Sequence, residues 1–403
     1  MTLRGRLRQA LHPRPHYLAG NEISLLCNGH AYFAALLADI HAARETIRLE
    51  TYLYADDSIG DAFTQALCRA AARGVDVRIV VDGFGARNLE QRHRPPLESA
   101  GVQIRVFRPE HELLRHLISL KRARLRRMHR KLALIDGRTA YAGGINIIDD
   151  ATGNTDSVRL DFALRVQGPL VEPIARAIDR QWLMLTRFSS MMRRSFSKPP
   201  PTRLDATPVG NRLAALVLRD NLLHRRAIEQ SYLLAIRQAR EHITLAMAYF
   251  IPSQRILTEL LQASQRGVRV TLLLQGRVEY RLQHYAAQAL YATLLTQGVR
   301  IFEYRPGFMH AKAAVIDGNW STVGSANLDP FSLLVAREAN IVIRDRPFAK
   351  TLQSHLDWAI QTHSQEITKD AWLKQPKHQR LLRGVCALLL YRALRLTGYA
   401  DNY

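Results

Sequence analysis

The chain has little cysteine: three residues in 403, Cys27, Cys68 and Cys386, with no CxxC spacing among them. An odd, scattered set excludes a disulfide framework and a cysteine-ligated zinc site, and it fits a reducing compartment. No uncharged apolar run reaches 18 residues, so no segment reads as a membrane span. The N-terminus, Met1 to Arg14, is basic but lacks the apolar core of a signal peptide. His111, His116, His284, His355, His363 and His378 form no HxxxH or HxH set, so they read as solvated, and no metal site is expected. Acidic residues are in deficit, 35 against 57 Lys and Arg, for a formal net charge of +22. An excess of that size implies a polyanionic partner, either nucleic acid or an anionic membrane surface, and charge alone does not choose between them.

What is present is a pattern that occurs twice. His129-Arg130-Lys131 is followed by Asp136 and then by Gly143-Gly144-Ile145-Asn146. His310-Ala311-Lys312 is followed at the same spacing by Asp317 and by Gly324-Ser325-Ala326-Asn327. A lone HxK is common by chance, but the full pattern in duplicate is not. The copies sit within a longer repeat. Ala43-Arg44-Glu45 is echoed by Ala239-Arg240-Glu241, Arg73-Gly74-Val75 by Arg266-Gly267-Val268, and Gly101-Val102 by Gly298-Val299. The period is far longer than that of a solenoid, so a whole domain is duplicated. The first half carries about 16 extra residues just before its motif, in a basic insertion near 110–128.

Val-, Ile- and Leu-rich segments alternate with helical patterns in both halves. Ile47–Tyr54, Val77–Val81 and Ile104–Phe107 read as strands, with a helix over Gly60–Arg73; Ile243–Phe250, Val268–Leu274, Val299–Tyr304 and a helix over Ser253–Arg266 repeat them. This alternation predicts an α/β layer structure. Residues two apart on a strand share a face, so His129 points with Lys131 and His310 with Lys312. Asp136-Gly137 and Asp317-Gly318 are turn dipeptides that send each motif strand back on itself. The expected organisation is a first lobe over 1–188, a Pro-rich linker over 189–211, a second lobe over 212–346 and a basic helical tail over 347–403.

Paired imidazoles and ammonium groups suit phosphodiester chemistry without a metal. One histidine attacks phosphorus, and the other protonates the leaving oxygen and then deprotonates the acceptor. Lys131 and Lys312 offer charge to the phosphoryl oxygens, and Asn146 and Asn327 offer amide donors. The small-residue loops, at Gly144 and Ser325, are expected to bring backbone N–H groups and one hydroxyl to the phosphate. Each imidazole needs a carboxylate on its second nitrogen. Aligning the copies sets Asp161 opposite Glu338, and the expectation is that Asp161 orients His129 and Glu338 orients His310, each within its own half.

The doubled HxKxxxxDx6G[GS]xN motif resembles that of the phospholipase D superfamily, over residues about 24–346, and most closely the short bacterial cardiolipin synthases. The resemblance implies two similar α/β sandwich lobes about a pseudo-twofold, with the motifs meeting between them. It marks His129, Lys131, Asp136, His310, Lys312 and Asp317 as the catalytic motif set, with His129 as nucleophile and His310 as general acid and base. Asp136 and Asp317, on the opposite strand face, are expected to be structural hydrogen-bonders. It further implies a cofactor-free ping-pong transfer through a phosphatidyl-histidine, from one phosphatidylglycerol (or another phospholipid) to a second phosphatidylglycerol, with release of glycerol. Hydrolysis of a phospholipid or of nucleic acid is the alternative. The basic clusters are interleaved with Leu and Ile rather than with base-stacking aromatics, which favours lipid and argues against a nucleic-acid partner. The insertion, whose apolar face ends in Arg122, Arg124, Arg126 and Arg127, is expected to lie on anionic lipid. The protein would then be peripheral, on the cytoplasmic face of the cell membrane.

Overall fold

A computed structural model describes residues 15–86, 89–108, 126–149, 159–191, 203–221 and 224–396. The first half supplies strands β1 (Leu18–Cys27), β2 (Thr46–Thr51), β3 (Asp76–Asp82), β4 (Gln103–Phe107), β5 (Leu132–Ile135), β6 (Thr139–Gly143) and β7 (Phe162–Gln167). The second supplies β8 (Arg212–Arg219), β9 (His242–Met247), β10 (Arg269–Gln275), β11 (Arg300–Tyr304), β12 (Lys312–Ile316), β13 (Trp320–Gly324) and β14 (Glu338–Arg344). The order outward from the centre is β1-β7-β6-β5-β2-β3-β4 in one half and β8-β14-β13-β12-β9-β10-β11 in the other. The two sequences of strands correspond one to one. In each, the outer three strands run parallel, as helical crossovers require, and the inner ones are antiparallel hairpins. β1 and β8 join the halves edge to edge.

Three apolar cores separate the layers. One packs the helices Asn28–Ala42 and Ser58–Ala72 on the first sheet through Phe33, Leu36, Phe63 and Leu67. Its counterpart uses Ile236, Leu260 and Leu294 on the second. The third lies between the sheets and draws on both halves: Leu134, Ala142 and Phe162 meet Ala313, Val323 and Ile341. Alanines at this seam let the sheets approach closely.

The turns are built as the sequence indicates. Asp136 and Gly137 have φ of 49° and 61°, Asp317 and Gly318 of 50° and 58°, paired positive values that open a three-residue connection from Ile135 to its partner Thr139 and from Ile316 to its partner Trp320. Two boundaries differ from expectation. The helix Val171–Met191 runs past 188, and Arg203–Asn211 packs against the first half, with Asp205 N–H donating to Gly137 O at 3.0 Å. The tail is not wholly helical: after the helix Arg346–His363, β15 (Ser364–Ile367) pairs antiparallel with β11, and the helices Lys369–Leu373 and Lys377–Leu396 follow. Among the described residues no helix is long and apolar enough to cross a membrane.

Candidate active site

Each motif histidine lies just before its strand, where the chain crosses to the other half. His129 N–H donates to Arg337 O at 2.9 Å and Arg337 N–H to Arg127 O at 2.7 Å. In the other half His310 N–H donates to Leu160 O at 2.8 Å and Leu160 N–H to Phe308 O at 3.0 Å. These bonds place each histidine beside the carboxylate that follows its backbone partner. His129 Nδ1 is therefore 2.9 Å from Glu338 Oε1 and 3.2 Å from Oε2, and His310 Nδ1 is 2.7 Å from Asp161 Oδ2. The expected pairing is corrected: the carboxylates are exchanged between halves, because the contacts that bring the chain segments together are interlobar. An ionised carboxylate only accepts, so Nδ1 carries the proton and Nε2 presents its lone pair to the site.

Lys131 and Lys312 come to the same place, almost wholly buried. Lys131 Nζ donates to His129 O at 2.7 Å, and Lys312 Nζ donates to His310 O. Burial pushes Lys131 down to about 7, with Glu338 opposing and Lys312 adding. It pushes Lys312 down to about 8, with Asp161 opposing and Arg159 adding. Both imidazoles are also held below the ordinary histidine value, foremost by burial. Burial alone would raise Glu338, but His129, Lys131 and the Ser325 hydroxyl outweigh it and keep the carboxylate ionised. The site thus gathers cationic groups whose charged forms are disfavoured, and an anionic phosphodiester would relieve that.

Asn146 Oδ1 accepts from Leu53 N–H at 3.2 Å and Asn327 Oδ1 from Tyr249 N–H at 3.3 Å. With the oxygens engaged, each amide can present only its NH2 to a ligand. The loop residues two positions before each asparagine make contacts of their own. Ser325 Oγ donates to Glu338 Oε2 and its N–H to Ala339 O. Gly144 N–H donates to Phe162 O at 3.0 Å, and a Cβ there would meet Asp161 Oδ1 at 2.3 Å. Both residues lie against the orienting carboxylates. The halves differ in step: the longer Glu338 goes with Ser325, the shorter Asp161 with a glycine that leaves room for it.

Asp136 and Asp317 stand apart from this cluster. The Asp136 carboxylate accepts from the N–H groups of Arg44, Glu45 and Thr46, and that of Asp317 from Arg240, Glu241 and His242, all at 2.8–3.0 Å. They fasten the turn at the far end of the motif strand to the start of β2 or β9.

Several supporting residues escaped the sequence reading. Buried Asp82 accepts from Met128 N–H at 2.9 Å and holds the approach to His129; a carboxylate ending a parallel strand was its signal. Arg130, between His129 and Lys131, points away from them to Glu50 at 3.0 Å, and Gln181 Oε1 accepts from both Arg130 and Arg337. This buried bridge ties the residue after His129 to the residue before Glu338. The Tyr52 ring lies 5.0 Å from that of His129 and 5.5 Å from Lys131 Nζ. Ile145, Ile148 and Arg159 line a small cleft at His310. A larger cavity of about 510 Å³, lined by Tyr17, Trp320 and Arg344 beside the Asp317 turn, shares none of these groups. Of the basic insertion, Arg122 and Arg124 lie outside the described residues. Arg127 is engaged with the protein, 3.6 Å from Asp82 and over the Phe84 ring, and Arg126 O accepts from Arg108.

Two histidines, two lysines and two crossed carboxylates at the centre of a duplicated four-layer fold define a phospholipase D-like protein. A family model described as the cardiolipin synthase, PLD-like domain matches residues 36–182 and 232–360. Cardiolipin synthase B of Escherichia coli (strain K12) is 37% identical over 349 residues, covering 86% of this chain and 82% of that protein. Cardiolipin synthase A of Proteus mirabilis (strain HI4320) is 30% identical over 378 residues, covering 91% and 74%. The crystal structure of phosphatidylserine synthase from Haemophilus influenzae Rd KW20 superposes with a TM-score of 0.68 over 98% of this chain and 99% of that one, at 12% identity, a likeness of fold. The chain belongs to the cardiolipin synthase family of phospholipase D-like proteins.

Proposed function

We propose that the protein makes cardiolipin from two molecules of phosphatidylglycerol, and that it does so at the cytoplasmic face of a membrane to which it binds peripherally. The observation that carries this is the pair of imidazoles, each with Nδ1 on a buried carboxylate and Nε2 directed to a site shared with two lysines. His129 Nε2 attacks phosphorus of the donor. The P–O bond to glycerol breaks, and the leaving alkoxide takes the Nε2 proton of His310, which enters this step as the imidazolium once the anionic donor lies beside it and returns to the neutral, Nδ1-protonated ring, so phosphatidyl-His129 and free glycerol result. The free glycerol hydroxyl of a second phosphatidylglycerol then gives its proton to His310 and attacks phosphorus, expelling His129 and forming cardiolipin. Lys131, Lys312 and the amides of Asn146 and Asn327 hold the non-bridging oxygens throughout. The assignment of nucleophile follows the resemblance. It is supported by the two-oxygen seat of His129 on Glu338, which favours the cationic ring of the intermediate.

The test is mass spectrometry of lipids after purified protein meets phosphatidylglycerol vesicles, with His129→Asn as control. Cardiolipin and glycerol in equal amounts, with wild type alone, are expected. Phosphatidic acid without cardiolipin would make it a hydrolase, and no lipid turnover at all would overturn the reading.

A further inference from the structure

Among the described residues, five of the fourteen exposed large apolar side chains sit on one helix, Lys377–Leu396: Leu381, Leu382, Val385, Leu388 and Leu389, each 44–69% exposed. At 100° per residue they fall within an arc of about 120°. The opposite side holds the helix to the protein. Arg383 stacks over the Trp372 ring at 4.1 Å and donates to Gln288 at 3.1 Å, and Leu390 packs on Ile251 and Ala286. The apolar stripe is thus not a core face left loose. The helix has one packed side and, facing away from it, a second apolar side that no described residue covers.

Two further observations say what covers it. Exposed Arg392 lies on the line of the stripe at its C-terminal end and exposed Lys377 just beyond its edge at the N-terminal end, with no acidic residue anywhere on the helix. Apolar side chains bordered by cations match the boundary between anionic headgroups and acyl chains. The packed side of the helix also sets it near the active site. Ile251, under Leu390, donates its N–H to the carbonyl of Leu328, the residue after Asn327. The helix Arg281–Gln288, on which Lys377–Leu396 packs, follows Glu279, which accepts from the Tyr249 hydroxyl, and it begins among exposed Val278, Tyr280 and Leu282.

We infer that the outer face of Lys377–Leu396 is a seat for an anionic phospholipid bilayer, which its leucines enter and its basic residues grip. This rests on the proposed function only in that both place the protein on lipid. The test uses the full chain with Leu381→Gln, Leu382→Gln, Leu388→Gln and Leu389→Gln together, after its melting temperature is shown to match wild type. Flotation with vesicles of phosphatidylglycerol and phosphatidylethanolamine is expected to weaken at least about tenfold, because four apolar side chains are removed from the interface. Transfer on short-chain phosphatidylglycerol dispersed below its micelle concentration should stay within about twofold, since the site is untouched. Independently, Leu388→Trp should gain fluorescence that brominated phosphatidylglycerol in vesicles quenches. Unchanged flotation, or an indole left unquenched in the Leu388→Trp variant, overturns the inference. So does a change from dimer to monomer with flotation intact, which would make the stripe a contact between two copies. A protein that floats through this helix yet turns over no lipid sinks the proposed function and leaves the seat standing.

Discussion

His129 is oriented by Glu338, 209 positions away in the other half of the chain, with Nδ1 2.9 Å from the carboxylate. His310 is oriented in return by Asp161. Neither half holds a complete catalytic pair, so the site exists only once the two sheets have docked. The exchange is open to direct observation. The Nδ1 proton of His129, held on a carboxylate, should give a separate downfield resonance in proton NMR of the full protein. Glu338→Gln should remove it and leave the His310 resonance in place, and Asp161→Asn should do the reverse. Each substitution should lower turnover by about 10²- to 10⁴-fold, as in triads that lose the orienting carboxylate. Loss of the His129 signal in Asp161→Asn would contradict the crossed arrangement.

The buried lysines make a prediction about pH. An ordinary lysine titrates at 10.5, whereas Lys131 is brought to about 7 and Lys312 to about 8. Between those values and 10.5 the unfolded chain holds protons that the folded one does not, so stability rises with pH across that window. The destabilisation is fully present below about pH 7. Lys131→Met combined with Lys312→Met should therefore raise the melting temperature at about pH 6.5 and flatten its rise toward about pH 10. Anion binding should run the opposite way. Tungstate, a phosphate mimic, should bind more tightly at about pH 6.5 than at about pH 9, and the double variant should lose that difference. A tungstate affinity independent of pH would remove the lysines from the anion site.

The unequal loops, Gly144 and Ser325, predict unequal penalties. Ser325→Ala removes one hydrogen bond to the Glu338 carboxylate and should lower turnover by roughly 10- to 100-fold, the range for a bond to a charged group. Gly144→Ser imitates the other half, yet its Cβ would stand 2.3 Å from Asp161 Oδ1 and push the carboxylate off His310. Its loss of turnover should be at least as large as that of Ser325→Ala. Wild-type turnover in Gly144→Ser would mean that the Asp161 contact has no part in the chemistry.

Much of this architecture was legible because duplication writes the same constraint twice. The period-2 placement of His129 and Lys131, the Asp-Gly turns and the Val- and Ile-rich strands are local signals, and β2, β3, β9 and β10 begin close to where the pattern puts them. The crossed carboxylates were not legible. Alignment of the copies shows that Asp161 and Glu338 are equivalent, but equivalence says nothing about which half each one serves; that depends on interlobar backbone bonds such as Arg337 N–H to Arg127 O. The Ser325 bond to Glu338 was not legible for a related reason, since a hydroxyl in a loop reads the same whether it faces a phosphate or a carboxylate. Arg130 and Gln181 were hidden because a buried polar bridge leaves no periodic trace.

The motif aspartates supply the last test, because they separate structure from chemistry within one motif. Asp136 and Asp317 each accept three backbone N–H groups at the start of a strand and touch none of the site's imidazoles or lysines among the described contacts. Those N–H groups are left without this acceptor in an alanine variant, so Asp317→Ala should cost roughly 2–4 kcal/mol of stability. The folded Asp317 carboxyl lies below its ordinary value, since three N–H bonds outweigh its burial. Its contribution is therefore complete above the ordinary value of 3.8 and is lost as pH falls through the lower, folded one. Wild type and Asp317→Ala should accordingly differ in melting temperature at neutral pH and converge in acid. At a temperature low enough for the variant to stay folded, turnover per folded molecule should remain within about threefold of wild type, against a loss of several orders of magnitude for His310→Asn. A collapse of turnover in folded Asp317→Ala would return the aspartate to the chemistry and require a route from its turn to His310 that the hydrogen bonds do not supply.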